Sequence, residues 1–328
     1  MSKALVTGGL GFLGYHLSVR LLAAGFEVHA LDNGRRGSID GAVERLCADR
    51  RYRLTLGDVS DPQTFGGLDD GYTHVFHMAA IVGVSNVAAE PFRVLVDNTT
   101  TLLRVLSWAR GQSALQRLVF PSTSEVYAGT LEAFSMPIPT PEDTPLAVAD
   151  MDRPRTSYML SKIYGEALCG FSGLPCTIIR PHNIYGPRMG SAHVIPELLE
   201  RAHRTPEGGT LTVYSPSHTR TFCYVDDAVE LVVRLATSPD GAGRTFNVGS
   251  TDHETPIARL GELVARTVGK RLTLAFGPDT EGSPARRVPD VGAAVSVARF
   301  MPEIPLADGL RRTYAWYRAH AFGSAAAA

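Results

Sequence analysis

The chain has 328 residues, enough for two domains or one large one, with 44% hydrophobic and 20% charged residues. Lysines and arginines (32) balance aspartates and glutamates (33) for a formal charge of −1, and no apolar run is long enough to span a bilayer; neither a nucleic-acid nor a membrane partner is expected. Strand-forming residues begin at Lys3 with no secretory leader ahead of them, so the expected location is the cytoplasm. In chain order, short apolar runs alternate with helical periodicity. Strands are expected at 3–7, 26–31, 51–56, 73–77, 116–121 and 175–180, and helices at 11–24, 38–48, 61–67, 91–110 and 157–170. That alternation predicts an α/β protein with a doubly wound parallel sheet. After Arg180-Pro181 the rhythm breaks into a helix at 194–204, a short strand pair, a helix at 225–237 and a strand at 244–248. Two helices around a lone strand are expected over 255–320, and residues 323–328 read as a frayed or appended tail.

The first strand runs into Gly8-Gly-Leu-Gly11-Phe12-Leu13-Gly14 and then an apolar-periodic helix. Glycines at such steps between a strand and a helix allow a tight turn and close backbone approach to a pyrophosphate, while the helix N-terminus offers free N–H groups. This is a Rossmann-type signature, expected to bind through Gly8, Gly11, Phe12, Leu13 and Gly14. The second strand ends at Asp32-Asn33, where a carboxylate grips the adenosine ribose hydroxyls and repels a 2′-phosphate, favouring NAD over NADP. Arg35 and Arg36 pull the other way, since an arginine there can accommodate that phosphate. Residues 1–180 are therefore expected to form the NAD-binding domain, with 222–250 returning to it. Residues 181–221 and 251–328 form a smaller lobe for substrate.

Tyr158 and Lys162 lie four apart in Ser157-Tyr-Met-Leu-Ser-Lys-Ile-Tyr-Gly-Glu166, so a helix stacks them on one face. A free phenol titrates near pH ~10, and a fixed cation beside it favours phenolate, so the pair is a candidate base. Cys47, Cys169, Cys176 and Cys223 sit in apolar segments without metal-type spacing and are expected to be buried thiols. His74 and His77 face opposite ways on a strand, so no metal is expected.

A third cluster follows the fifth strand, Pro121-Ser122-Thr123-Ser124-Glu125-Val-Tyr127, at the end of a parallel sheet where ligands collect. With the glycine turn and Tyr158/Lys162, the sequence resembles the extended short-chain dehydrogenase/reductase family, specifically its NAD-dependent nucleotide-sugar epimerases, dehydratases and decarboxylases. The resemblance covers nearly the whole chain. It implies Tyr158 as base, Lys162 as the ribose-binding residue that tunes it, and Thr123 as the hydroxyl on the sugar oxygen. Ser124 and Glu125 complete the catalytic set. Asp58 and Val59 resemble the adenine contact, Ala79 and Ala80 the strand end at the pyrophosphate, and Asn98 the helical asparagine that braces the active-site strand. Asn183, His193, Val194, Arg220 and Arg287 match substrate positions, the two arginines on the diphosphate.

The implied chemistry passes through a 4-ketone formed as Tyr158 takes the C4 hydroxyl proton and NAD takes hydride. From there the sugar is re-reduced on the other face, dehydrated, or decarboxylated. Thr123-Ser124-Glu125 favours the last two. Ser124 replaces the aspartate of one large dehydratase group, and Pro181-His182 before Asn183 departs from the decarboxylase pattern. The sequence reading accordingly puts a 4-epimerase first, with a 4,6-dehydratase or UDP-glucuronate decarboxylase using Glu125 as alternatives, and a catalytically silent NAD sensor or scaffold as a remote one. The segment 128–156, with prolines at 137, 139, 141, 145 and 154, is expected to pass over the sugar site and to make room for a larger sugar, or to be a surface loop without a substrate role. The resemblance also implies a homodimer built on helices 91–110 and 157–170.

Overall fold

A computed structural model describes residues 2–251, 253–280 and 284–323. The expected tail beyond 323 lies outside the described residues. Strands β1 (Lys3–Thr7), β2 (Glu27–Asp32), β3 (Tyr52–Leu56), β4 (His74–His77), β5 (Arg117–Pro121) and β6 (Cys176–Pro181) join the strand Arg244–Val248 in one seven-stranded sheet. All pairings are parallel, and the order from the far edge is Arg244–Val248, β6, β5, β4, β1, β2, β3. The order reverses between β1 and β4, which opens a crevice at their carboxyl ends.

Helices α1 (Phe12–Ala23), α2 (Gly41–Cys47), α3 (Pro62–Gly66), α4 (Val84–Ala89), α5 (Pro91–Ala109), α6 (Ala128–Ala133) and α7 (Pro154–Phe171) connect the first six strands. The period-2 rule divides each strand between two cores. Ala4 and Val6 pack with Leu17 and Leu21 of α1, on the face also covered by Leu231 and Leu235. Leu5 and Phe120 pack on the other face with Leu102, Val105 and Leu106 of α5. Full burial of each such leucine stabilises by roughly 1.5–3 kcal/mol.

The structure departs from the sequence reading in several places. Helix α2 starts at Gly41 rather than 38 because the Asp40 carboxylate caps it, accepting from Ala42 N at 3.0 Å and Val43 N at 3.1 Å. Helix α7 starts at Pro154, three residues early, since proline is pre-organised for the first helical position. The expected short strand pair does not pair with itself. Thr210–Val213 pairs in parallel with Thr273–Phe276, and Cys223–Tyr224 with Ile184–Tyr185. Among the described residues three helices rather than two follow residue 255, namely Ile257–Val268, Gly292–Ala298 and Leu306–His320. Cys47 is exposed, unlike the other three thiols, because it closes a short surface helix.

Candidate active site

The turn after β1 is shaped for close backbone approach. Gly8 has φ of 70°, and a Cβ there would stand 2.7 Å from Ala79 N, so only glycine lets β1 and the end of β4 press together. Gly11 precedes α1 without a side-chain cap, and its own N–H returns to Gly8 O at 3.0 Å. Thr7 Oγ1 ties the two strand ends, meeting His77 Nδ1 at 2.9 Å and accepting from Ala79 N at 3.3 Å. Burial, then the Lys162 charge, depresses the His77 imidazole to about 3, so it stays neutral.

Asp32 is fixed at the end of β2 by two backbone donors, Leu10 N to Oδ2 at 3.0 Å and Gly34 N to Oδ1 at 2.8 Å. Asn33 donates to Asp58 Oδ2 at 3.1 Å, and Arg35 pairs with the same carboxylate at 3.6 Å. Burial opposes ionisation of Asp58, but Ser60, Asn33 and Arg35 outweigh it and hold the carboxyl below its ordinary range. Val59 is buried beside it. Uncapped α1 amides, a glycine cradle and an oriented carboxylate at the end of β2 fit a dinucleotide with an unphosphorylated ribose.

Strand β5 delivers the hydroxyl cluster. Thr123 caps the 3-10 turn Ser124–Tyr127, with Oγ1 accepting from Glu125 N at 3.2 Å, and it hydrogen-bonds the half-buried Tyr158. Asn98 of α5 clasps the segment after β4 in both directions, accepting from Ile81 N at 2.7 Å and donating to Ile81 O at 3.0 Å, and reaches Ser161 Oγ at 3.4 Å. Lys162 is 4% exposed; its ammonium donates to Pro121 O at 2.8 Å and stands 5.8 Å from the Tyr158 ring centroid. The sequence predicts a phenol pulled down by that lysine. Instead burial, followed by the Glu125 charge, pushes the Tyr158 hydroxyl up, against the Thr123 hydrogen bond and the charge of Arg36.

Glu125 lies between two guanidinium groups, Arg287 Nη1 at 2.8 Å from Oε1 and Arg155 Nη2 at 2.6 Å from Oε2. Burial works against its charge, but the two arginines keep its proton affinity below the carboxylate norm. Arg287 also reaches Ser124 Oγ at 3.3 Å. The sequence reading passed over Arg155, although it stands three residues before Tyr158, the spacing that shares a helix face.

Behind this cluster runs a buried polar network. Arg180 donates to Glu166 Oε2 at 2.7 Å and to Tyr127 Oη at 2.6 Å. Asn247 Nδ2 gives both protons away, to Thr140 O at 2.9 Å and Asp290 O at 3.0 Å, so Oδ1 is the acceptor for Tyr127 at 3.0 Å and His182 Nε2 at 3.1 Å. His182 therefore carries its proton on Nε2; burial and then Arg287 lower it to about 3, and it is 1% exposed. The 128–156 segment joins this network, since Thr140 N donates to Val288 O and Asp290 N to Thr140 O, both at 2.9 Å. It is thereby stitched to the strand carrying Arg287. A hollow of about 450 Å³ beneath it is lined by its own residues, Thr130 to Pro145, and includes none of the catalytic set.

The substrate-lobe residues are more dispersed. Asn183 adopts φ of 44° and donates to Thr221 O at 2.9 Å. His193 and Val194 open the helix Val194–Arg204 at the surface. Arg220 is buried, donating to Thr219 O at 2.7 Å and Pro284 O at 2.6 Å; burial and then Arg287 lower it to about 10.

Residues 4–249 match the model of the NAD dependent epimerase/dehydratase family. The chain belongs to that family. It is 31% identical to a UDP-N-acetyl-alpha-D-glucosaminuronate decarboxylase of Bacillus cytotoxicus, across 96% of this chain and 98% of the relative. It is equally 31% identical to a UDP-glucose 4-epimerase of Mycolicibacterium smegmatis, again across 96% and 98%. The fold superposes on a dTDP-glucose 4,6-dehydratase of Streptomyces venezuelae with NAD bound, with TM-score 0.82 and 26% identity over 97% of each chain. The protein is thus an NAD-dependent nucleotide-sugar enzyme with the extended short-chain dehydrogenase/reductase architecture, and the sensor or scaffold reading falls away.

Proposed function

We propose that the chain decarboxylates a nucleoside-diphosphate hexuronate through a 4-keto sugar. The observation that carries this reading is the pairing of Glu125 with both Arg287 and Arg155 beside Ser124 and Tyr158. Both cations meet one carboxylate, and Arg287, placed beside Ser124 and Tyr158, has the planar charge to receive a sugar carboxylate at C6. The sequence reading puts the 4-epimerase first partly because of His182. That residue is packed away on Asn247 and bears on the sheet end, so it does not weigh against decarboxylation. Dehydration has the least support, because Ser124 is a poor acid for a leaving hydroxyl and Glu125 is a weak base between its arginines.

In this mechanism Gly8, Gly11, Phe12, Leu13 and Gly14 cradle the cofactor, with Asp32, Asn33, Asp58, Val59, Ala79, Ala80 and Lys162 along its length. Bound NAD supplies the hydride acceptor and later the donor. Tyr158, oriented by Thr123, takes the C4 hydroxyl proton as the ketone forms. Arg287 holds the C6 carboxylate beta to that ketone. The C5–C6 bond breaks, its electrons pass toward the ketone oxygen, and carbon dioxide leaves. C5 regains a proton, and re-reduction at C4 with the Tyr158 proton returned gives a pentose. Asn183, His193, Val194 and Arg220 belong to the nucleotide side of the lobe formed by 181–221 and 251–328, with 222–250 assigned to the NAD-binding domain.

A second reading, 4-epimerisation, rests on Thr123, Tyr158 and Lys162 being assembled without any need for Glu125 at C5. Mass spectrometry after incubation with UDP-glucuronic acid separates the two. A product lighter by carbon dioxide supports decarboxylation, and an isomer of unchanged mass supports the epimerase. Inertness toward nucleotide hexuronates alongside turnover of neutral nucleotide hexoses would falsify the first reading.

The same proposal includes a cytoplasmic homodimer. Among the described residues no helix is long and apolar enough to cross a membrane. Helices α5 and α7 pack together and expose Phe92, Val96, Leu103, Tyr164 and Phe171, an apolar face suited to a symmetry mate.

A further inference from the structure

The loop between β2 and α2 reaches from the cofactor fold to the segment 186–190. Asp40 pairs with Arg188 at 2.5 Å, and the Arg188 guanidinium lies 4.0 Å over the Tyr15 ring. His16 Nε2 meets Pro187 O at 3.0 Å. The segment is therefore seated on Tyr15 and His16, one turn into α1 from the glycine cradle. Arg36 points into the same place. A methyl group built on Gly190 would stand 3.7 Å from Arg36 Nη2 and 3.9 Å from the His193 ring. From there its charge also acts on Tyr158. A side chain four residues after Asp32 thus ends close to Gly190 and His193 and is felt at Tyr158, between the ribose carboxylate and the catalytic phenol. Among the described residues Arg36 makes no hydrogen bond or ion pair, whereas Arg35 is engaged by Asp58 at 3.6 Å.

We propose that Arg36 is a cofactor-binding residue whose guanidinium closes over the NAD pyrophosphate from the substrate side, opposite the backbone amides of the glycine turn. A planar cation presents paired donors to phosphate oxygens, and the uncapped end of α1 offers the complementary donors below. This differs from the sequence-derived role of an arginine reading a 2′-phosphate, and it holds for any branch of the sugar chemistry. The Asp40–Arg188 pair ties the loop carrying Arg36 to the segment 186–190, so a guanidinium on the pyrophosphate would also slow cofactor release.

The test is release of radiolabelled NAD from the full-length protein under a chase of unlabelled NAD, with competition by adenosine and by ADP-ribose. Arg36→Met is expected to release NAD at least about tenfold faster and to weaken ADP-ribose competition equally, with adenosine unchanged. Arg36→Lys recovers part of the loss, and Arg35→Met stays within about twofold. Retention of NAD at the wild-type rate in Arg36→Met overturns the proposal. So does a loss confined to NADP, or an equal loss for adenosine, which marks a collapsed loop. A melting curve of Arg36→Met matching the wild type confirms that the fold is intact.

Discussion

Lys162 donates its ammonium proton to the carbonyl of Pro121 at 2.8 Å, which fixes the helix bearing Tyr158 to the strand end bearing Thr123. Burial leaves that lysine with a pKa of about 8.

An unfolded lysine titrates near ~10.4, so the folded state holds the proton less tightly than the unfolded one. The buried charge costs stability at neutral pH, and the cost is relieved as pH rises from about 8 toward the unfolded value. Lys162→Met is expected to raise cofactor-free stability at pH 7 by ~1–3 kcal/mol, partly offset by the lost hydrogen bond, while abolishing turnover. Thermal melts from pH 7 to 10 check it; an advantage that widens with pH would refute the account.

Tyr158→Phe should lower kcat by ~10²–10⁴-fold with little change in substrate affinity, since it removes the proton acceptor and little contact area. Retention of more than a few per cent of activity assigns the base elsewhere.

Glu125 raises the Tyr158 hydroxyl, so Glu125→Gln should move the acid limb of the kcat/KM profile toward lower pH. The amide keeps the shape while losing the charge. An unmoved limb means that Glu125 does not govern the phenol.

Arg287→Met should raise KM for a nucleotide hexuronate far more than for the matching neutral hexose. Removing one charge-assisted contact costs ~1.5–3 kcal/mol, or roughly ten- to hundredfold. Equal losses on both substrates would put Arg287 on the diphosphate, its role in the sequence reading.

Phe171 and Phe92, 89% and 79% exposed, anchor the expected dimer face. Phe171→Glu with Phe92→Asp should convert a dimer to monomers by light scattering without loss of fold. A wild-type monomer at micromolar concentration removes the dimer.

The sheet was legible because each strand carries a local period and each βα turn its own glycine or proline. β1 matches its expected limits, and β2 to β6 fall within one residue of theirs. Charge partnerships were not, since they join distant segments. Arg155 and Arg287 are separated by 132 positions yet share one carboxylate. The direction of the Tyr158 shift was also hidden, because a four-residue spacing shows that a cation is near but not that the phenol is buried and faces the charge of Glu125. Pro181-His182 read as a departure from the decarboxylase pattern, whereas His182 packs against Asn247. Segments after residue 200 misled for a related reason: their short strands pair with chain far away in sequence, Thr210–Val213 with a strand downstream and Cys223–Tyr224 with one upstream.

The strand Arg244–Val248 lies beside β6 in parallel register, Arg244 opposite Thr177 and Val248 opposite Pro181. The chain between them is thus one enlarged crossover, with the helix Val225–Thr237 as its return and residues 182–224 as an insert. A chimaera exchanging that block with a relative would carry a foreign pocket floor on an undisturbed sheet. It would keep its own Arg287, supplied from beyond the insert, and with it the charge proposed to meet the group at C6.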